Sequence, residues 1–111
     1  MAGNAKKTVA VARSTSGDGT AVVDAPGAGR YVHIMGGLLM QADPGNDDCT
    51  VTIKSGSDTL LVLALSGGVY GSVVPELVCG GNAAVYVSLS TDADVQGALS
   101  IAVRSTIQLQ D

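Results

Sequence analysis

Tryptophan and phenylalanine are missing from this chain of 111 residues, and tyrosine occurs only three times. A core therefore has to be built from Val, Leu, Ile and Ala, thin side chains that suit the gap between two sheets. Histidine occurs once, at His33, and cysteine twice, at Cys49 and Cys79. One histidine cannot supply the ligand cluster of a cupin-type metal enzyme, nor is there a Ser-His-Asp or Cys-His set to assemble. Neither cysteine has a second Cys or His close by in sequence, so there is no zinc signature. Both are expected as free, buried thiols, small hydrophobes in a reducing compartment. Lys and Arg total six against ten Asp and Glu, a net charge of −4, which argues against a nucleic-acid footprint. No apolar run approaches the ~18 residues of a membrane span, and residues 1–5 lack the apolar core of a signal peptide. The expectation is a soluble protein made in a cytosol, with no catalysis, no cofactor, no membrane and no nucleic acid.

What is present is β-sequence and turn punctuation. The chain is 46% hydrophobic with 15 glycines, and no window keeps a helical period long enough to compete. The most informative stretch runs from Cys49 to Leu65. Thr50, Thr52 and Lys54 alternate with Val51 and Ile53, the period-two pattern of a strand with one wet face. Ser55-Gly56-Ser57-Asp58 supplies a turn, because Gly takes positive φ freely and Ser and Asp can bond their own backbone. Leu60 to Leu65 then reads as a strand apolar on both faces. Val51, Ile53, Leu61, Leu63 and Leu65 form the expected core row, since a one-residue slip would put Thr and Lys inside. The opposite face, Leu60, Val62 and Ala64, is the expected self-association surface.

Around this hairpin the chain divides into about eight strands. Residues 1–7 read as a flexible basic arm. Thr8 to Ser14 alternates with Val9 and Val11 on one side, and Thr20 to Asp24 reads as a short second strand after the TSGDG turn. Arg30 to Gln41 is a long strand in which Gly36-Gly37 marks a bulge or bend. Val69 to Val74 is a further strand, and Gly80-Gly81-Asn82 a turn. Ala84 to Ser90 alternates with Val85, Val87 and Leu89 on one face. Val95 to Arg104 closes the domain with Leu99, Ile101 and Val103 inward, and residues 105–111 form a tail or edge strand. The fold class is all-β: one antiparallel β-sandwich over residues 8–104, expected to be of the jelly-roll type.

Few residues could carry a site. Lys6 and Lys7 read as a solvated basic step on the arm, and Tyr31 and His33 as polar residues on a sheet surface or at an interface. Asp43, Asp47 and Asp48 in one loop and Asp92 and Asp94 in another could hold Ca²⁺ if the loops met. The spacing is not that of an EF-hand, so solvated acidic loops are expected. Glycan binding would call for aromatic platforms, and only Tyr31, Tyr70 and Tyr86 are on offer.

From Gly29 to about Arg104 the order of features resembles that of small bacteriophage virion proteins. Gly29-Arg30-Tyr31-Val32-His33-Ile34 looks like their entry strand. Val51-Thr52-Ile53-Lys54-Ser55-Gly56-Ser57, with the apolar strand after it, looks like their central hairpin. Leu65-Ser66-Gly67-Gly68-Val69 looks like their glycine-paired turn, and the Ala84 to Leu89 strand with the last valine-rich strand completes the pattern. Two features depart from it: Glu76-Leu77 stands where an aromatic is often found, and the loop Ala42 to Asp48 looks longer and more acidic. The resemblance implies a capsid decoration, or cement, protein: a homotrimer on the capsid surface of a phage head, bound to the major capsid protein. Lys6, Lys7, Tyr31, His33, Leu60, Val62 and Ala64 are then its candidate interface residues. The alternative is a head-fibre or tail-tip domain that binds a host receptor or glycan.

Overall fold

The computed structural model of the chain describes residues 6–42, 48–65, 70–73 and 76–105. Expectations for residues 1–5, 43–47, 66–69, 74–75 and 106–111 lie outside these. Eight strands are formed, all pairing antiparallel, and no helix occurs among the described residues. They are β1 (Lys6–Arg13), β2 (Arg30–Gln41), β3 (Cys49–Ser55) and β4 (Asp58–Leu65), then β5 (Tyr70–Val73), β6 (Leu77–Gly81), β7 (Val85–Leu89) and β8 (Val95–Ser105).

Two sheets face each other. The larger has the order β1-β8-β2-β5, and β6 pairs with the same edge of β2 beyond β5; the smaller has the order β4-β3-β7. The core between them is made from both: Val11, Val32, Ile34, Leu39, Leu99 and Ile101 on one side, Val51, Ile53, Leu65, Val85, Val87 and Leu89 on the other. These are the alternating residues of each strand, so the period-two pattern decides which face turns inward. The architecture is an antiparallel β-sandwich, as its composition suggested.

The hairpin forms in the expected register. Val51 lies opposite Leu63 and Ser55 opposite Asp58, with Gly56 in the turn at φ 59°. Val51, Ile53 and Leu65 are fully buried, whereas Leu61 and Leu63 pack on the core yet stay half-exposed. Gly36 also does what its place suggested. The pairing of β2 with β8 shifts between Ile34 and Gly36, a β-bulge at Met35, with Gly36 at φ 145°.

Four expectations are corrected. Lys6 and Lys7 belong to no arm; they are the first residues of β1, paired with Ala102 and Ile101, so the domain begins before residue 8. It also runs on through Ser105 at the end of β8. Gly80 and Gly81 are strand residues of β6 rather than a turn, and Asn82 takes the turn conformation at φ 50°. Thr20 to Asp24 makes no regular strand. Instead the segment 17–23 lies along the outer edge of β7, touching it through isolated bridges, Gly17 to Leu89 and Val23 to Val85.

Between those bridges Arg13 takes the place of backbone. Its Nε donates to the Val87 carbonyl at 3.0 Å, and its Nη2 to the Thr15 and Gly17 carbonyls at 2.9 and 2.7 Å. A segment too irregular to complete a ladder thus still satisfies the edge of β7. The same segment places Asp18 against Lys54, with Nζ at 2.9 and 3.1 Å from the two carboxylate oxygens.

Candidate functional site

Among the described residues no group of three or more His, Cys, Asp or Glu side chains converges in a way that could hold a metal ion. Asp48, Asp92 and Asp94 are described, whereas Asp43 and Asp47 are not. Asp92 accepts the Ser16 amide at 2.8 Å, and Asp94 accepts the Gln96 side-chain amide at 3.0 Å.

Tyr31 and His33, expected at an interface, are buried within this chain, at 5% and 4% exposure. They point away from the shared core, and the Nε2–H of His33 donates to Oε1 of Glu76 at 3.1 Å. The Nδ1 of His33 and the Nε of Arg104 are buried with no hydrogen-bond partner among the described residues. Burial removes Tyr31 as a sugar-stacking platform, Tyr86 is half-buried, and the side chain of Tyr70 is not described.

The proposed row Leu60, Val62 and Ala64 is split. Pairing between β3 and β4 shifts between Ile53 and Lys54, since Ile53 faces Leu61 while Lys54 faces Thr59. Leu60 is the extra residue of that bulge, and it packs against the core with Leu61 instead of pointing out. Val62, at 55% exposure, and Ala64 remain on the outer face, beside Thr52 and Thr50 of β3. Hydrophobic alternation cannot reveal a bulge inside a run that is apolar at every position.

The outer face of the larger sheet was not anticipated. Strand register aligns Thr8 and Ser100 with Gly36, then Ala10 with Ala98, Leu38 and Ser72, then Ala12 with Gln96, Met40 and Tyr70. No charged residue falls within these three rows. Leu38, at 44% exposure, stands at their centre. Gly37 and Gly97 act alike in letting the strands of this face approach. At Gly37 an added Cβ would lie 2.6 Å from the Ala98 carbonyl oxygen, and at Gly97 it would overlap the Leu38 carbonyl oxygen, so β2 and β8 are drawn close together. Four strands about 4.8 Å apart and three rows about 6.7 Å apart make a platform of roughly 200 Å². The signal was present in the sequence, since Thr8, Ala10 and Ala12 alternate with Val9 and Val11. Only pairing with β8 and β2 showed that the small residues line up across strands.

At the far end of this face the character changes. Lys6 pairs with Ala102, His33 pairs with Ala102 and Val78, and Arg104 pairs with Tyr31. Val78 is exposed at 57%. A neutral platform is thus bordered at one end by Lys6 and Arg104, with the Glu76 carboxylate held on His33 at the same end.

Both cysteines are free and buried. Burial pushes the Cys79 thiol above its usual range, offset in part by a hydrogen bond with Ser55. Ser55 Oγ also accepts the Gly80 amide at 2.9 Å, tying the end of β3 to β6 across the sandwich. Asp18 shifts the other way. Its hydrogen bond from Lys54, then one from Ser88, hold the carboxyl below the usual carboxylate range.

No protein-family model and no curated protein matches this chain. A solved structure does share its fold, that of Bacillus endospore appendages, described as forming a novel family of disulfide-linked pili. The TM-score is 0.56 at 14% identity, over 91% of this chain and 87% of that one. At that identity the likeness shows the fold alone, and it agrees with an all-β sandwich.

Proposed function

We propose that this chain is a structural virion subunit, a capsid decoration protein that stabilises a phage head by bridging its shell subunits. The observation that carries the reading is the uncharged outer face formed by β1, β8, β2 and β5, with Leu38 exposed at its centre. A flat face of neutral side chains leaves no buried charge unpaired, as the centre of a protein interface requires. Its roughly 200 Å² is about a quarter of the ~800 Å² that a stable contact covers on each partner. The platform would therefore be the middle of the contact, with Lys6 and Arg104 on its rim facing acidic groups of the major capsid protein. A shell under pressure from packaged DNA fails where its subunits meet, and added interface area across those junctions opposes that.

The order of sequence features resembling small virion proteins supports the same reading. So does the topology, which we infer to be a jelly roll. With the segment 17–23 standing in for a strand beside β7, each sheet has four positions, as that fold requires. The structural neighbour belongs to a pilus, also an assembly of copies, but one linked by disulfides. Here the only two cysteines are buried in the chain, so copies joined through them would require local unfolding.

The test is to mix purified protein with shells that lack it and image them. Saturating occupancy at symmetry-related sites, with greater heat resistance, is expected, and Ala98→Glu should abolish it without lowering the protein's own melting temperature. Absence from shells, with binding to host-surface sugars instead, would favour a receptor-binding fibre or tail domain.

A further inference from the structure

The sandwich has several sheet edges, and a free edge offers unpaired backbone groups to any other strand. All but one are defended. β1 carries Lys6, Lys7 and Arg13 along its eight residues. The outer edge of β7 is covered by the 17–23 bridges and the Arg13 guanidinium. The open edge beside β2 is divided between β5 and β6, strands of four and five residues. β4 is different. It has eight residues, carries no charge after Asp58, contains no proline, and pairs on one side with β3 and on the other with no strand among the described residues.

We propose that β4 pairs antiparallel with β4 of a second copy about a two-fold axis at Leu63, joining the smaller sheets of the two copies into one of six strands. This deepens the reading of the chain as an assembly subunit and rests on it, with a two-fold pair in place of the homotrimer that the resemblance implies. Three observations select a second copy as the occupant. The bulge at Leu60 leaves Leu61 to Leu65 as the regular stretch, and its centre is Leu63. A two-fold there sets Leu61 opposite Leu65 and Val62 opposite Ala64, so apolar residues meet apolar residues on both faces. It also carries the two Asp58 carboxylates to opposite ends of the paired stretch, whereas a parallel pairing would stack them in a chain already at net charge −4. Finally, Leu61 and Leu63 face the core yet stay half-exposed while Leu65 beside them is buried at 1%. A strand along the open edge covers the two that are left short.

The experiment is light scattering on the full chain, with no shells present, followed by a charge exchange at the facing pair. The wild type is expected at twice 11.0 kDa. One variant combines Val62→Lys with Ala64→Lys, the other Val62→Glu with Ala64→Glu; each alone places like charges directly opposite and is expected as a monomer. Mixed, they should recover the dimer, because every Lys then faces a Glu. Both are checked for a cooperative melt, and the wild-type mass decides the matter should either fail to fold. A monomeric or trimeric wild type overturns the pairing, as does a Lys variant that keeps the dimer mass or a mixture that stays monomeric. Shell occupancy of the wild type is read separately: a monomer that decorates shells sinks the pairing alone, and a dimer that ignores shells sinks the decoration reading alone.

Discussion

Replacing Gly97 by alanine adds a single methyl group at the place where the two longest strands come nearest. Gly97 of β8 pairs with Leu39 of β2 and with Val11 of β1. A Cβ there would overlap the Leu38 carbonyl oxygen and stand 2.9 Å from both the Leu38 carbonyl carbon and the Leu39 Cα. These are backbone atoms of a central strand, so no rotamer change can make room; β2 and β8 must move apart. Overpacking of a well-packed site costs about 1–3 kcal/mol, and a backbone obstacle puts this change at the upper end or beyond. The φ of 158° at Gly97 is one that residues with a side chain rarely adopt, so alanine recovers nothing by restricting the unfolded chain. A loss of about 2–3 kcal/mol is expected. With unfolding entropy of roughly 2.1 cal/mol/K per residue, a domain of 111 residues shifts its Tm by about 4 °C per kcal/mol, giving a drop of about 9–13 °C. Gly81→Ala is the matched control, because a Cβ at Gly81 meets nothing within 4 Å. Thermal melts by far-UV circular dichroism compare the three proteins. If Gly97→Ala melted with Gly81→Ala, within about 2 °C of wild type, the close approach of β2 and β8 would be wrong.

Other expectations follow from the core and from the two shifted groups. Leu65→Ala, at a buried site, should cost about 2–5 kcal/mol, whereas Val62→Ala on the same strand, already exposed, should cost under about 1 kcal/mol; equal losses in urea titrations would mean the hairpin register is misread. Asp18 has a folded-state pKa below its unfolded value of 3.8, so its contribution is present above that pH and is lost as pH falls through the lower folded value. Asp18→Asn should therefore lower the Tm near neutral pH and converge with wild type in strong acid, and a constant offset at every pH would contradict this. Cys79 has its pKa raised above 9.0, so its contribution is complete below that pH and is lost as pH rises beyond it. Cys79→Ala should show less alkaline destabilisation than wild type. Thiol titration should find two free thiols on denatured, unreduced protein and a slow reaction in the native state; finding none on denatured protein would mean the two are bonded.

By itself the sequence determined the class of fold and most of what lies inside it. Alternation in Cys49–Ser55 and Val85–Leu89 specified which side chains turn inward, because a strand's side chains change face at every residue and one slip would bury Thr and Lys; in Val95–Ser105 it held for Leu99 and Ile101 but not for Val103, which stays half-exposed outside the core. The turn at Gly56 and the bulge beside Gly36 were legible too, since few residues other than glycine take positive φ at low cost. Only the tertiary structure decided what is outside. Leu60 turned toward the core because pairing with β3 slips at Lys54, and an unbroken apolar run carries no mark of such a slip. Lys6 and Lys7 joined β1 because β8 is long enough to pair with them, a partner some ninety residues away along the chain. Local polarity alone makes Tyr31 and His33 surface residues, but burial depends on what packs over a strand. The neutral platform and the open edge of β4 are likewise products of strand order: which faces align and which strand ends a sheet are long-range pairings, and no local pattern encodes them.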